Sequence, residues 1–269
     1  MNFLKSLLLI FITVTSNYLT AQSIKIRIPD SLLFTGMHFS LHGLFGYAQP
    51  AIVKTISGPH KPGTTLSMHV NYGFAFSFYK PGRRYHYKVG LDVIDWFENY
   101  NYDLKKDPGN NLFYDIQDRE NFYILESYYL FVETGYRFNL THRFFISPFL
   151  GTGIERVRLL IGTSEGSHSD SLGNSRLILH IEQNNLETSR IRFRVHAGLE
   201  MAKILPWQHI VSLRFIASYS PGTFANGNYT MLPGTSEQST GTYDLKGNYF
   251  GIELAYTFTG IRRKRLQFN

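Results

Sequence analysis

The stretch from residue 66 to 97 limits what this chain can fold into more than any other. Leu66, Met68, Val70, Tyr72, Phe74, Phe76 and Phe78 alternate with Ser67, His69, Asn71, Gly73, Ala75 and Ser77. Lys80-Pro81-Gly82-Arg83-Arg84 follows, and then Tyr85, Tyr87, Val89, Leu91 and Val93 alternate with His86, Lys88, Gly90 and Asp92. A period of two puts alternate side chains on opposite faces of a strand. Pro-Gly suits a tight turn, because Pro presets its φ and Gly accepts a positive one. The spacing predicts an antiparallel hairpin closed across Lys80 and Arg83, with Phe76 opposite Tyr87, Phe74 opposite Val89 and Asn71 opposite Asp92. One face is aromatic and apolar throughout; the other is small or polar. A soluble sandwich turns such an apolar face inward. A membrane barrel turns it to lipid and its polar face to the lumen. The hairpin alone fits both.

The rest of the chain separates them. Alternation predicts further strands at about 33–49, 122–138, 144–159, 188–201, 210–219 and 248–258. In the sixth, Ile191, Phe193, Val195 and Leu199 oppose Arg190, Arg192, Arg194, His196 and Glu200. Pro148, inside the fifth, donates nothing to a ladder and belongs at a strand irregularity near the turn end. Residues 176–183 read as a hairpin outside the main sheet, giving eight strands, or ten if that segment joins the barrel. Long connections follow strands one, three, five and seven; short ones follow two, four and six. Outer-membrane barrels segregate their loops this way, and a soluble sandwich has no reason to. Tyr85, Tyr87, Tyr136, Phe138 and Phe144 flank the short turns, as an interfacial girdle would.

The N-terminus agrees with export. Residues 1–21 carry Lys5, the apolar run 7–14 and Leu19-Thr20-Ala21 before Gln22, the layout of a secretory signal peptide. The domain reading is therefore a signal peptide at 1–21 and one barrel at 22–269, with a basic tail at 259–269 holding Arg262-Arg263-Lys264-Arg265. The apolar run is too short to span a bilayer as a helix, so a membrane protein made of this chain crosses with strands. The formal net charge is +7, or +6 once Lys5 is lost. An exported chain without a basic helix gives no reason to expect nucleic acid. With no Cys there is no disulfide framework, thiolate metal site or lipid-attachment Cys.

Strand pattern and last strand together resemble the small bacterial outer-membrane β-barrel families, the OmpA-like and PorT-like barrels. The last strand, Tyr249-Phe250-Gly251-Ile252-Glu253-Leu254-Ala255-Tyr256-Thr257-Phe258, looks like the aromatic-ending signal read by the barrel-assembly machinery, although this chain continues to Asn269. The resemblance implies an all-β, antiparallel up-and-down transmembrane barrel in the bacterial outer membrane. Its partners would be outer-membrane lipid and lipopolysaccharide, the assembly machinery during biogenesis, and envelope proteins.

Facing follows from parity. Phe74, Phe76, Val89, Leu91, Phe193 and Leu254 are expected to face lipid. Lys88, Asp92, Glu133, Arg137, Arg192, Arg194, Glu200 and Glu253 are expected in the lumen. An eight-stranded barrel is just wide enough for its inward side chains to fill it, and charges in so narrow a space need partners. The expectation is a plugged lumen, with Arg192 or Arg194 pairing with Glu133 or Glu200, and a non-catalytic structural, surface-binding or assembly-accessory role carried by the loops 98–121, 162–188 and 220–246. No cofactor or metal is expected: His38 and His42 are about 13 Å apart along a strand, and the other histidines lie on different strands. Two alternatives compete. A lipid A-modifying barrel enzyme needs a nucleophile beside a base and an acid; His168-Ser169-Asp170 has the residue types, but as sequence neighbours they make no triad. A soluble periplasmic lipocalin-like barrel would turn the aromatic faces inward.

Overall fold

The computed structural model describes residues 36–64, 66–80, 82–104, 116–159, 163–169, 175–183, 190–206, 209–223 and 225–259. The leader 1–21 and the tail 260–269 lie outside them. In chain order the strands are β1 (Gly36–Ala48), β2 (Ile52–Ser57), β3 (Gly63–Thr64), β4 (Ser67–Tyr79), β5 (Tyr85–Leu104), β6 (Ile116–Tyr136), β7 (Phe138–Asn139), β8 (Phe144–Leu159), β9 (Thr163–Ser169), β10 (Ser175–Gln183), β11 (Arg190–Ile204), β12 (Ile210–Tyr219), β13 (Ala225–Met231), β14 (Ser239–Leu245) and β15 (Tyr249–Thr259). The first sheet has ten strands; setting aside the two-residue β3 and β7 leaves eight. Those eight pair antiparallel in the order β1-β4-β5-β6-β8-β11-β12-β15, and β15 pairs with β1 to close the barrel. Residues 176–183 stay outside it.

Burial follows the pleat. Phe74 is 40% exposed and Phe193 52%, whereas Ala75 and Ser77 between the outward aromatics are 0% and 2%. Phe76, Val89, Leu91 and Leu254 also point outward, half-buried or exposed. Away from its loop end the outer wall is mainly apolar, and the lumen holds Ser, His, Lys, Arg, Asp and Glu side chains out of solvent. This is the inverse of a soluble barrel and the arrangement that lipid requires.

The β4–β5 register differs from the expected one by two residues. Phe76 pairs with Val89, Phe74 with Leu91 and Asn71 with Ile94. The turn does close with Arg83 N–H donating to the Lys80 carbonyl, but the ladder starts only at Tyr79–His86. Arg84 is drawn the other way, its carbonyl accepting from Arg137 N–H. A shift of two leaves every face unchanged, so the facing survives the wrong register. Pro148 sits where expected for a residue with no N–H. The β6–β8 ladder stops at Gly135–Phe149 and resumes as β7 at Phe138–Ile146, leaving Pro148 in the gap.

The connections at the far end are not open loops. β2, β14, β13, β10 and β9 form a second, five-stranded antiparallel sheet in that order. β5 and β6, at 20 and 21 residues, are about twice the 9–11 residues that a tilted strand needs to cross a membrane. Their surplus length carries Tyr100 into the core of this roof, with Ile178, Leu179, Ile181, Tyr229, Met231, Leu232 and Tyr243. Tyr229 O–H donates to Thr55 Oγ1 across the sheet at 2.9 Å. Sequence reading takes 98–121, 162–188 and 220–246 as loops; in the last two, Gly and Ser hide the alternation. Ala225, Gly227, Tyr229 and Met231, and Ser239, Gly241, Tyr243 and Leu245, are in fact the buried faces of β13 and β14.

Candidate functional site

Two rows of residues on the lumen wall share one design. Glu133 pairs with Gly151, and Gly151 with His196, on three neighbouring strands. Asp92 pairs with Gly73, and Gly73 with His42, likewise. The glycine between leaves a gap that the imidazole spans. His196 Nε2 reaches Glu133 Oε2 at 3.2 Å, and His42 Nε2 reaches Asp92 Oδ1 at 2.7 Å. A Cβ on Gly151 would run into the His196 ring, and one on Gly73 would meet both His42 Nε2 and Asp92 Oδ1. Alternating small and large residues in this way is how a narrow barrel fills its interior.

Glu133 is a hub. It accepts from Arg214 Nη2 as well as His196, and Lys88 Nζ lies 3.8 Å away on the adjoining strand. Arg214 also donates to Glu253 at 2.5 Å and stacks over Phe149 at 4.1 Å. His196 in turn is held at Nδ1 by Tyr129 Oη, 2.8 Å away. A cavity of about 10 Å³ remains between Asn71, Asp92, Glu133, His196, Arg214 and Glu253, room for about one water.

Nearer the roof the lumen is stopped by Arg194. Its Nε and Nη2 donate to Glu155 Oε2 at 3.2 and 2.5 Å, and its Nη1 donates to Ser218 Oγ and the Gly247 carbonyl at 3.0 Å each. The guanidinium lies within 5.1–5.7 Å of the Trp96, Tyr129 and Tyr249 ring centres, within cation–π range. Glu155 Oε1 accepts from Ser127 Oγ, which accepts from Trp96 Nε1. Arg194 and Glu155 are both fully buried.

The expected lumen residues Lys88, Asp92, Glu133, Arg137, Arg194, Glu200 and Glu253 are all buried, and Arg192 is half-buried at the loop end of β11. The expected pairing needs correction. Arg194 takes Glu155, not Glu133 or Glu200, because β8 presents Gly153 directly across from Arg194 and Glu155 two residues along. Glu133 takes Arg214 instead. Glu155 and Arg214 are absent from the sequence-based set, yet parity marks both: each shares the inward face of a strand whose outward apolar residues are evident. His168 and Ser169 end β9 in the roof, and Asp170 lies outside the described residues.

An apolar wall closed on itself, enclosing buried charge, leaves one environment for this fold. The chain is a transmembrane β-barrel of the outer-membrane kind. No family model and no curated protein matches it. Among solved structures it is similar to the outer membrane protein OprG from Pseudomonas aeruginosa, at 12% identity and a TM-score of 0.41, over 83% of this chain and 97% of that one. It is also similar to a major outer membrane protein from Thermus thermophilus, at 11% identity and a TM-score of 0.38, over 82% and 99%. A third is the attachment invasion locus protein Ail of Yersinia pestis, at 12% identity and a TM-score of 0.29, over 83% and 100%. Closure and facing in this barrel, rather than those likenesses, carry the assignment.

Above the membrane, the roof turns a polar face outward. Lys54, Thr242, Asn228, Glu182 and Thr163 follow one another across its strands in one register row. Thr240, Thr230, His180 and Glu165 make the next. His180 Nδ1 lies 3.2 Å from Glu165 Oε1. The face is mainly hydroxyl, amide and mixed charge, with Ile52 and Ile56 exposed at its β2 edge, on a frame fixed by the core beneath it.

Proposed function

We propose that this outer-membrane barrel is a non-catalytic anchor with a sealed lumen, and that its function is carried by the roof as a surface-binding platform. The observation behind the reading is the combination of the Arg194 stopper, the Glu133 hub and a hydrogen-bonded, separately cored sheet at the barrel's loop end. A permeation path would have to displace paired, buried charges, which costs several kcal/mol per ion. The outward roof rows offer hydroxyl and amide groups, so the ligand would be polar, recognised by hydrogen bonds rather than by apolar burial. Lipopolysaccharide is a natural neighbour on this reading, since Arg156 and Arg158 stand exposed on the lipid side of β8 at its loop end.

Single-channel recording in a planar bilayer tests the sealed lumen. The wild type should be silent, and Glu133→Ala, which leaves Lys88 without its carboxylate and Arg214 with Glu253 alone beside a void, should destabilise the barrel or admit leak current. A steady, large, weakly selective conductance from the wild type would end the reading.

A further inference from the structure

Among the described residues, the short turns of the barrel carry cations and no acid. Lys80, Arg83 and Arg84 lie in the β4–β5 turn, Arg143 in the connection before β8, and Lys203 at the end of β11, and all five are exposed. Residues 79–86, 137–144 and 203–210 contain no Asp or Glu. Among the described residues none of the five has a carboxylate within ion-pair distance. The loop end is different: Lys54, Lys61, Arg156 and Arg158 there are interspersed with Glu126, Glu165, Glu182 and Asp244.

Backbone hydrogen bonds make these cations neighbours. Arg137 N–H donates to the Arg84 carbonyl at 2.9 Å, tying the first turn to the second. Ile204 N–H donates to the Arg143 carbonyl at 2.7 Å, tying the second to the third. The arc therefore runs Lys80-Arg83-Arg84, Arg143, Lys203 along one rim. Just above it is a belt of rings: Tyr85 against Tyr136 at 4.7 Å, Tyr136 against Phe138 at 4.7 Å, and His209 against Tyr256 and Phe258 at 5.5 and 5.4 Å. Aromatic belts sit at headgroup level, so long basic side chains one step beyond them lie among lipid phosphates.

We propose that this rim is a binding surface for anionic phospholipid headgroups of the periplasmic leaflet. The occupant follows from height and charge together: unpaired cations, without interspersed acids, continuous with the lipid-facing wall. It would hold the barrel's depth in the membrane and gather a shell of anionic lipid around three of its turns. The proposal does not depend on what the roof binds.

The test uses the full chain in nanodiscs of mixed phosphatidylglycerol and phosphatidylcholine. Lipids that stay with the protein after detergent extraction are counted by native mass spectrometry. The quadruple variant Arg83→Gln/Arg84→Gln/Arg143→Gln/Lys203→Gln is compared with wild type; both keep the basic tail, so a difference reports the rim alone. Heat-dependent gel mobility checks that the variant is folded. Wild type should retain phosphatidylglycerol in preference by roughly fivefold, the size expected of one cation at an anionic surface. Screening at 0.5 M salt should remove most of that preference, and the folded variant should lack it. Equal preference in wild type and folded variant, or no preference in wild type, would overturn the proposal. So would loss of binding to isolated peptidoglycan in the variant with lipid preference unchanged, since that would give the rim a different acidic partner.

Discussion

Replacing Glu155 by Ala strands the guanidinium that stops the lumen. Arg194 would lose two charge-assisted bonds, at 3.2 and 2.5 Å, and Ser127 its acceptor at 2.6 Å. Removing one partner of a buried pair typically costs about 3–5 kcal/mol. Arg194 keeps Ser218 Oγ, the Gly247 carbonyl and three ring faces, so the lower end, about 3 kcal/mol, is expected. Arg194→Met should cost a similar amount by leaving a buried carboxylate with Ser127 alone. The pair Glu155→Ala/Arg194→Met removes both charges, and a buried pair replaced by apolar residues is often near neutral. Its cost should fall below the sum of the singles by about 2 kcal/mol or more, at the upper end of coupling between contacting residues. Urea unfolding in phospholipid vesicles, followed by tryptophan emission, measures all three, since Trp96 lies against Arg194. A Glu155→Ala barrel within about 0.5 kcal/mol of wild type, the scatter of neutral substitutions, would refute the stopper. So would a double variant whose cost equals the sum.

Three further outcomes follow from the same geometry. Gly151→Ala should push His196 off Glu133 and destabilise the barrel by about 1–3 kcal/mol, the usual range for overpacking; Thr152→Ser, on the outward side of the same strand, is the control, read in the same urea titration. Tyr229→Ala removes a roof-core ring and its bond to Thr55, at a local cost of about 3–5 kcal/mol. Trypsin added to intact cells should then cut at Lys54 while the protein keeps its heat-dependent gel mobility, and cleavage with simultaneous loss of the barrel would contradict a separately cored roof. Phe74→Arg should cost about 2–4 kcal/mol near the membrane midplane and Ser77→Arg less, whereas equal sensitivity at both would argue against the assigned facing.

How much of this could be read from the chain depends on residue size. Barrel strands announce themselves because lipid demands large apolar residues at every second position, as in Tyr72-Phe74-Phe76-Phe78. The roof strands hide because their buried face is built from Gly227, Gly241, Ser239 and Ala225, which periodicity does not weigh. The lumen was half legible. Parity assigned the inward charges, but which acid meets which base depends on stagger between strands, and stagger is set by turns such as 80–84 whose register the sequence misjudged by two. The row Glu133-Gly151-His196 could not be found without that stagger, because its meaning lies in a glycine that no single strand marks as special.

Stagger also explains why stopper and roof belong to one construction. β2 leaves β1 and β14 precedes β15, so they are nearly two hundred residues apart in sequence and meet only once β1 has paired with β15. The junction is marked by Gln49 and Asn248, joined by Gln49 N–H to the Asn248 carbonyl at 2.8 Å and by Asn248 Nδ2 to Gln49 Oε1 at 2.9 Å. Just beneath, Gly247 offers its carbonyl to Arg194. The residue that stops the lumen therefore reads the same closure that completes the roof. Contacts so distant in sequence repay their ordering entropy only after the ring has closed. A barrel open between β1 and β15 would have neither an intact roof sheet nor a fully bonded Arg194, and this couples the outward-facing platform to a finished, sealed barrel.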